Sequence, residues 1–230
     1  FTPTTGGKKA TQYVISRGGS FRKGPVDFDA NAIPIIFGRS EQVGSAKLAY
    51  DENNLYVTWR VEDLTPWRNA GRDPKTAFKS GDAVELLIAD KAAAKPNQLG
   101  GTRVVMSPIN GGSAVVYRPT GPGDEPFTFE SPVRKTTFQY VAVEPDIKVH
   151  AGATRRAYRV SATIPWKTLG ITPKPDRELR GDVGIIFGRS DATTHIDRIV
   201  RWIDDQTNVT NDLPTEAEIF PNRWGTFELE

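Results

Sequence analysis

Apolar residues along this chain recur most clearly at every second position. In the segment NLYVTWRVED, Leu55, Val57, Trp59 and Val61 alternate with polar or amphipathic residues. A period of two is that of a β-strand with one face toward a core. The preceding segment AKLAYD predicts a second strand, and the turn residues at 51–54 predict a hairpin between the two.

Further short segments have the composition of strands, and turn-forming clusters separate them. These segments are DAVELLIAD, TRVVMS, SAVVYRP, FTFES, FQYVAVE, IKVHA, AYRVSATIP, DVGIIFGRS, HIDRIVRWID and WGTFELE. The sequence predicts helix only at 89–95 and 166–169, a turn or two in each case. Many strands without long helical crossovers favour an all-β fold, a single antiparallel β-sandwich of jelly-roll or immunoglobulin-like type with long loops. We find no linker, and expect one domain over 1–230 with 1–25 as a candidate peripheral extension.

The hexapeptide IIFGRS occurs twice, at 35–40 and at 185–190. Both copies precede a loop, and their flanking sequences EQVGSAKLAY and DATTHIDRIV have little in common. Gly-Arg-Ser alone lacks the glycines and the following helix of a phosphate-binding loop. We therefore interpret the copies as two strand ends that share a pattern, not as a duplication.

Composition narrows the range of partners. The net charge is +2, from 30 basic and 28 acidic residues that are interspersed, so charge alone gives no reason to expect nucleic acid or a membrane surface. Cysteine is absent, which excludes disulfides, thiolate nucleophiles and cysteine-ligated metals. No apolar run approaches the ~20 residues of a membrane span. A neutral partner fits this composition.

Four segments, taken in their order, point beyond the fold class. They are KLAYDENNLYVTWRVED, SGDAVELLIAD, ATIPWKTLGI and RWGTFELE. In this order, over roughly 26–230, they resemble the family 9 carbohydrate-binding modules and the related DOMON-like sandwich domains. The resemblance implies a non-catalytic accessory module of secreted bacterial enzymes that binds a poly- or oligosaccharide, with calcium in a structural role. We accordingly expect a secreted, periplasmic or cell-surface protein, monomeric and attached to other domains.

Sugar recognition combines flat aromatic faces with planar polar groups, so the tryptophans are the first candidates. Trp59 alternates with core residues, and Trp166 and Trp224 adjoin predicted strands, so we expect these three to be packing residues. Trp67 lies in a long polar loop and Trp202 at a strand end, which makes them candidates for an exposed aromatic clamp. A satellite cluster that fixes the loop would equally account for Trp67.

The resemblance also assigns polar contacts. Glu85, in GDAVE, matches the carboxylate that accepts sugar hydroxyls in the family, Arg103 matches an arginine, and Trp202 matches the second aromatic residue. Where the family has its first aromatic residue this chain has Phe78, with Trp67 further upstream. The alternative for Glu85 and Arg103 is an exposed cross-strand salt bridge, worth about 0.2–1 kcal/mol.

Acidic residues crowd the loop after Trp202. Oxygen ligands in a flexible loop suit calcium, so Asp204, Asp205 and Asp212 are candidate ligands for a structural calcium ion. Acidic loops also promote turns and solubility, which is the alternative interpretation.

Two other functions remain open. A haem-binding electron-transfer domain of the DOMON-like group would need Met106 as an axial ligand, paired with His150, His195 or a lysine. A single Met among apolar neighbours is also a common core residue. A protein-interaction sandwich would instead expose an apolar patch. No nucleophile motif accompanies either histidine, so the sequence does not favour catalysis.

Overall fold

The computed structural model describes residues 11–18, 28, 31–121, 125–132, 134–191, 195–206 and 216–230. The described strands are β1 (Gln12–Arg17), β2 (Ile33–Phe37), β3 (Glu41–Tyr50), β4 (Asn54–Glu62), β5 (Ala83–Asp90), β6 (Thr102–Ser107), β7 (Ser113–Arg118), β8 (Phe127–Glu130), β9 (Lys135–Phe138), β10 (Tyr140–Val143), β11 (Lys148–Ala153), β12 (Ala157–Pro165), β13 (Glu178–Gly188), β14 (Ile196–Arg201) and β15 (Gly225–Leu229). Helix within these ranges is limited to α1 (Trp166–Leu169) and to short 3-10 turns at Pro74–Lys79, Lys91–Ala93, Ile109–Gly111 and Pro221–Arg223. The predicted all-β fold is confirmed.

Two sheets face each other across a common core. The first has the order β10-β7-β6-β5-β13-β15, and β14 extends it by pairing with residues 184–188 of β13. The second has the order β3-β4-β12-β11, with β2 on β3. Asp51 closes the predicted β3–β4 hairpin, because its side chain accepts hydrogen bonds from the backbone N–H of Asn53 and Asn54, each 2.8 Å long.

Strand β1 departs from the antiparallel prediction. Its first residues pair in parallel with β15, from Gln12 opposite Thr226, and its last residues pair in parallel with β3, where Arg17 lies opposite Tyr50. It therefore belongs to both sheets and connects them through hydrogen bonds. The expectation of a peripheral extension is wrong for residues 12–17, whose Ile15 is fully buried.

The core between the sheets follows from the alternation in the sequence. Val84, Leu86 and Ile88 of β5 point into it and meet side chains such as Val57 and Trp59 of β4. Burial of this apolar surface is the main stabilising contribution to such a sandwich. The burial expected for Trp59, Trp166 and Trp224 is confirmed.

A second core lies on the outer face of the first sheet. The 3-10 turn at Pro74–Lys79, the β8–β9 hairpin and residues 217–224 cover this face. Phe129 packs there edge to face against Phe78 and Phe138, with ring centroids 5.5 Å apart in each pair. Tyr117 packs edge to face against Phe78 and Phe138, with centroids up to 6.4 Å apart. This face of the sheet is therefore closed by the chain itself.

Both copies of IIFGRS are strand ends, as the sequence predicts. The first closes β2 at Phe37 and the second closes β13 at Gly188. No helix in the described ranges is long and apolar enough to cross a membrane.

Candidate functional site

The carboxylate and arginine predicted to contact sugar lie together in the second core. Glu85 Oε2 accepts a hydrogen bond from Arg103 Nε at 2.7 Å, and Glu85 Oε1 accepts one from Arg201 Nε at 2.5 Å. Gly184 makes room for this group, because a Cβ there would lie 2.6 Å from Glu85 Oε1. All three charged side chains are buried.

Mutual attraction keeps these groups ionised despite burial. Desolvation alone would raise the pKa of Glu85, but the Arg103 and Arg201 guanidiniums outweigh it and hold that pKa below its ordinary value. Desolvation lowers the pKa of Arg103, and Glu85 opposes that effect. Each charge of the cluster thus depends on the others for its stability.

The chain also covers this cluster. Arg103 Nη1 donates a 2.6 Å hydrogen bond to the carbonyl oxygen of Glu216, and the guanidinium lies 4.7 Å from the ring centroid of Phe78. The expectation that Glu85 presents a free carboxylate, with Arg103 and Phe78 beside it, is wrong for this arrangement. The three residues do come together, but beneath 216–219 instead of at the surface.

Trp202 is not an exposed clamp residue. It is 4% exposed, and its indole stacks on Phe227 with centroids 5.9 Å apart and an interplanar angle of 7°. The packing is tight, since a Cβ on Gly225 would lie 2.6 Å from the indole. The expectation fails because Trp202 continues the alternation of Val200 into the core between the sheets.

Trp67 lies elsewhere and is half-buried. Its ring packs on Tyr158, with centroids 5.1 Å apart, at the edge of the core between the sheets. This contact matches the alternative in which Trp67 fixes its loop. The loop that carries Trp67 is anchored to β13 near Gly188, whereas Trp202 is hydrogen-bonded to β13 at Val183. These two points of β13 are five residues apart, which is about 16 Å along an extended strand. The two indoles therefore do not form a clamp.

Two of the three candidate calcium ligands, Asp204 and Asp205, lie in the described ranges, where no group of three or more possible metal ligands is found. Asp204 Oδ2 accepts a 3.2 Å hydrogen bond from Arg201 Nη1, and Asp204 Oδ1 accepts one from the backbone of Gln206. Asp204 is thus held by two hydrogen bonds, one to each oxygen. Asp205 is exposed, and Asp212 lies outside the described residues. A calcium site remains a prediction.

The residues of the haem alternative do not converge. Met106 is fully buried in the core between the sheets, where it pairs with Val84 and Ala114. His150 and His195 are exposed, one of them on the edge strand β11. Met106 is thus enclosed in the core, whereas both histidines lie at the surface of the described part of the chain.

An open cleft of about 920 Å³ lies at one end of the sandwich. It is formed by the end of β4 and its loop, the end of β13, β14 and the start of β3. Its lining residues are Glu41, Glu62, Asp63, Leu64, Thr65, Arg156, Phe187, Gly188, Arg189, Ser190, Asp191, Ile196, Asp197 and Arg198. Planar polar groups predominate, with apolar surface from Leu64 and Phe187.

One guanidinium of this cleft is held by both copies of the repeated hexapeptide. The Arg198 guanidinium carbon lies 4.6 Å from the ring centroid of Phe37 and 4.7 Å from that of Phe187. Each ring comes from one IIFGRS copy, so the two strand ends converge on one side chain. Contact with aromatic faces restrains a guanidinium and stabilises its charge.

Some polar atoms at this end of the sandwich have no hydrogen-bond partner in the described part of the chain. They are Asp63 Oδ2, Arg198 Nε and the hydroxyl of Tyr158, all fully buried. Leaving a buried polar group unpaired costs about 1–3 kcal/mol. Asp63 and Arg198 line the cleft through their other atoms, and the one-third exposed guanidinium of Arg198 offers hydrogen-bond donors to it.

Asp82 fixes the cleft to the sheet. Its carboxylate accepts hydrogen bonds from the backbone N–H of Arg68 at 2.7 Å and of Gly188 at 2.8 Å. The pKa of Asp82 is raised to about 6, mainly by desolvation and to a smaller extent by the nearby Asp63, while the two N–H groups oppose the shift. The loop that carries Asp63 is thereby tied to the end of β13.

Comparisons with known proteins bear on the architecture. No sequence-family profile matches the chain. No curated protein sequence matches it. A family 9 carbohydrate-binding module from Caldicellulosiruptor kristjanssonii in complex with glucose superposes with a TM-score of 0.55 at 16% identity, covering 95% of both chains. The chain has the fold of a family 9 carbohydrate-binding module.

A second structure of a family 9 module from the same organism, in complex with cellotriose, gives a TM-score of 0.53 at 14% identity over 95% of this chain and 93% of that chain. The family 9 fold thus accounts for nearly the whole length of this chain. At these identities the likeness concerns the fold and not the residues of a site.

Sequence reasoning missed the cleft and its central arginine. The signal was present in the repeated Phe of IIFGRS, which we interpreted as a strand-end pattern without a shared contact. Only the pairing of β13 with β14 and the proximity of β2 bring Phe37 and Phe187 to Arg198.

Proposed function

We propose that this chain is a non-catalytic carbohydrate-binding domain and that it holds an oligosaccharide in the open cleft. The family 9 fold supports the function, because the two similar structures from C. kristjanssonii are modules in complex with glucose and with cellotriose. The observation that carries the location is the guanidinium of Arg198, which lies against Phe37 and Phe187, is one-third exposed and lines the cleft. Hydroxyl oxygens of a sugar can accept hydrogen bonds from its exposed N–H groups.

The cleft suits this role better than the buried cluster does. Sugar access to Glu85 and Arg103 would require residues 217–224 to leave the second core, where Ala217 and Ile219 are almost fully buried. The cleft needs no such rearrangement, since it is already open. Sugar contacts by Phe78, Trp67 and Trp202 would likewise require repacking of rings that now contact other aromatic residues.

Calorimetric titration with glucose, cellotriose and a wider panel of neutral oligosaccharides tests the proposal. We expect saturable binding by the whole chain, with at least a tenfold loss on Arg198→Ala, since a hydrogen bond to a charged group contributes about 1.5–3 kcal/mol. Arg17→Ala is the matched control, because Arg17 is an exposed arginine on β1 that pairs with Glu52. Full affinity in Arg198→Ala would contradict the location, and no binding across the panel would contradict the function.

The wider setting belongs to the same proposal. We place the domain, as a single monomeric unit, in a secreted, periplasmic or cell-surface protein that carries it as an accessory to other domains. Light scattering on the purified chain, with and without the bound oligosaccharide, tests the monomeric state. A dimer that persists on dilution would contradict it.

A further inference from the structure

We infer that Arg198 recognises the ligand by donating hydrogen bonds from its guanidinium N–H groups to two neighbouring hydroxyl oxygens of a neutral sugar. This inference rests on the proposed function and specifies its chemistry. It begins from the convergence of Phe37 and Phe187 on one guanidinium. A repeated hexapeptide with unrelated flanks thus supplies two parts of one small assembly.

The two rings determine which part of Arg198 remains available. An aromatic ring interacts with the face of a guanidinium, whereas the in-plane N–H groups form hydrogen bonds. Phe37 and Phe187 therefore restrain the plane of the Arg198 guanidinium and leave its in-plane N–H groups available for hydrogen bonds. Side-chain entropy that binding would otherwise remove is already lost, which favours a rigid recognition element.

The edge of Arg198 is only partly used. Arg198 Nε is fully buried, so a ligand in the cleft can reach only the Nη1 and Nη2 groups of this one-third exposed side chain. Arg198 Nη1 lies 3.6 Å from Asp197 Oδ2, which is beyond a normal hydrogen bond. A fork of two donors matches two acceptor oxygens side by side, as in a carboxylate or a vicinal pair of hydroxyls.

The charges of the residues that line the cleft favour a pair of hydroxyls over a carboxylate as the acceptor. The cleft is lined by five carboxylates and three guanidiniums, an excess of two negative charges. Arg189 is moreover paired with Asp191 at 3.1 Å. A uronate or sulfated sugar would bring a third negative charge into this field, so a neutral sugar is favoured.

The first test compares a neutral oligosaccharide with its uronate counterpart, for example cellotriose with a trisaccharide of glucuronate. One unfavourable charge contact at a half-exposed site corresponds to about a fivefold difference in Kd, so we expect the neutral sugar to bind at least that much more tightly at low salt. High salt should narrow the difference. Equal or tighter binding of the uronate would overturn the inference.

The second test separates the fork from the charge. Arg198→Lys keeps the charge but removes the planar pair of donors. We expect the wild-type chain to lose about tenfold in affinity when one hydroxyl of the vicinal pair is replaced by hydrogen, since the donor is charged. The lysine variant should show a much smaller loss with the same deoxy sugar. Arg17→Lys, outside the cleft lining, is the matched control and should keep the wild-type loss.

A third variant addresses the rings. Phe37 is 42% exposed, so Phe37→Leu should fold normally while it loosens the guanidinium. We expect weaker binding together with a smaller deoxy penalty. An unchanged deoxy penalty in both Arg198→Lys and Phe37→Leu would overturn the inference while sugar binding itself stood. Absence of binding by every neutral sugar would instead remove the proposed function.

Discussion

Arg103 and Arg198 both lie against phenyl rings, yet they have opposite surroundings. Arg103 is fully buried, with its edge used by Glu85 and by the carbonyl of Glu216. Arg198 is one-third exposed, and its Nη1 lies 3.6 Å from Asp197 Oδ2, beyond a normal hydrogen bond. An arginine thus fixes a segment of the chain where the protein itself supplies the hydrogen-bond acceptors, as at Arg103. It is available to bind a ligand where the protein does not supply them, as at Arg198.

Removal of Glu85 should have the largest effect on this comparison. Glu85→Ala leaves Arg103 buried without its counter-charge and Arg201 with Asp204 alone, so we expect a loss of about 3–5 kcal/mol in the free energy of unfolding. Urea denaturation measures it. Glu62→Ala is the control, because Glu62 is exposed and pairs only with Arg60; that change should cost less than about 1 kcal/mol. A loss for Glu85→Ala as small as the control's would mean that the cluster is not stabilised by its charges.

Trp202→Ala should also destabilise the fold. The indole fills space between Phe227 and Gly225, so its removal leaves a cavity and should cost about 3–5 kcal/mol. Thermal unfolding followed by circular dichroism reports it. An unchanged midpoint together with lost sugar affinity would restore Trp202 as a ligand residue.

Titration of buried acids should distinguish the two regions by pH. Desolvation raises the pKa of Asp182, behind the buried cluster, to about 7, and that of Asp82, beside the cleft, to about 6. Because both values exceed those of the unfolded chain, the folded state binds more protons and stability rises as pH falls from 7 toward 5. For Asp182 the gain is about 2 kcal/mol.

Substitution assigns each part of that slope. Asp182→Asn should flatten the stability profile near pH 7, and Asp82→Asn should flatten it near pH 6. Denaturant midpoints measured across this range give both. A profile that falls toward pH 5 in the wild-type chain would show that these carboxyl groups are ionised and well paired at neutral pH.

Arg198→Ala should have the smallest effect on stability. Its guanidinium makes ring contacts at a partly exposed site, which are worth about 0.5–1 kcal/mol. We therefore expect a small change in the free energy of unfolding beside a large change in affinity. A loss above about 2 kcal/mol would place Arg198 with Arg103 as a structural residue.

Local patterns account for the parts of the fold that the sequence predicts. The alternation in NLYVTWRVED identifies β4 and the buried side of Trp59 from neighbours two residues apart. The same rule holds for Val200 and Trp202, and its consistent use would have placed Trp202 in the core. Strand β1 escaped because the short segment QYVISR lies between GGKKAT and GGSFRK, without a long alternation.

Non-local packing decides the rest. The sequence correctly places Glu85 on the face of the strand opposite Val84. The segment that covers the Glu85 face begins at Glu216, and the hydrogen bond that holds it to Arg103 joins residues 113 positions apart. The cleft likewise depends on three strand ends that are distant in sequence. Alternation fixes which way a side chain points, and it carries no information about what then folds over it.

Strand β1 has a practical consequence for any redesign of the chain. Gln12 to Ile15 pair with β15 and Arg17 pairs with β3, so deletion of β1 would remove the hydrogen bonds that connect the two sheets through this strand. Fusion partners or tags should therefore be joined ahead of Gln12, and a truncated version that starts after Arg17 should unfold at a lower temperature, because the two sheets lose the hydrogen bonds that β1 makes to both.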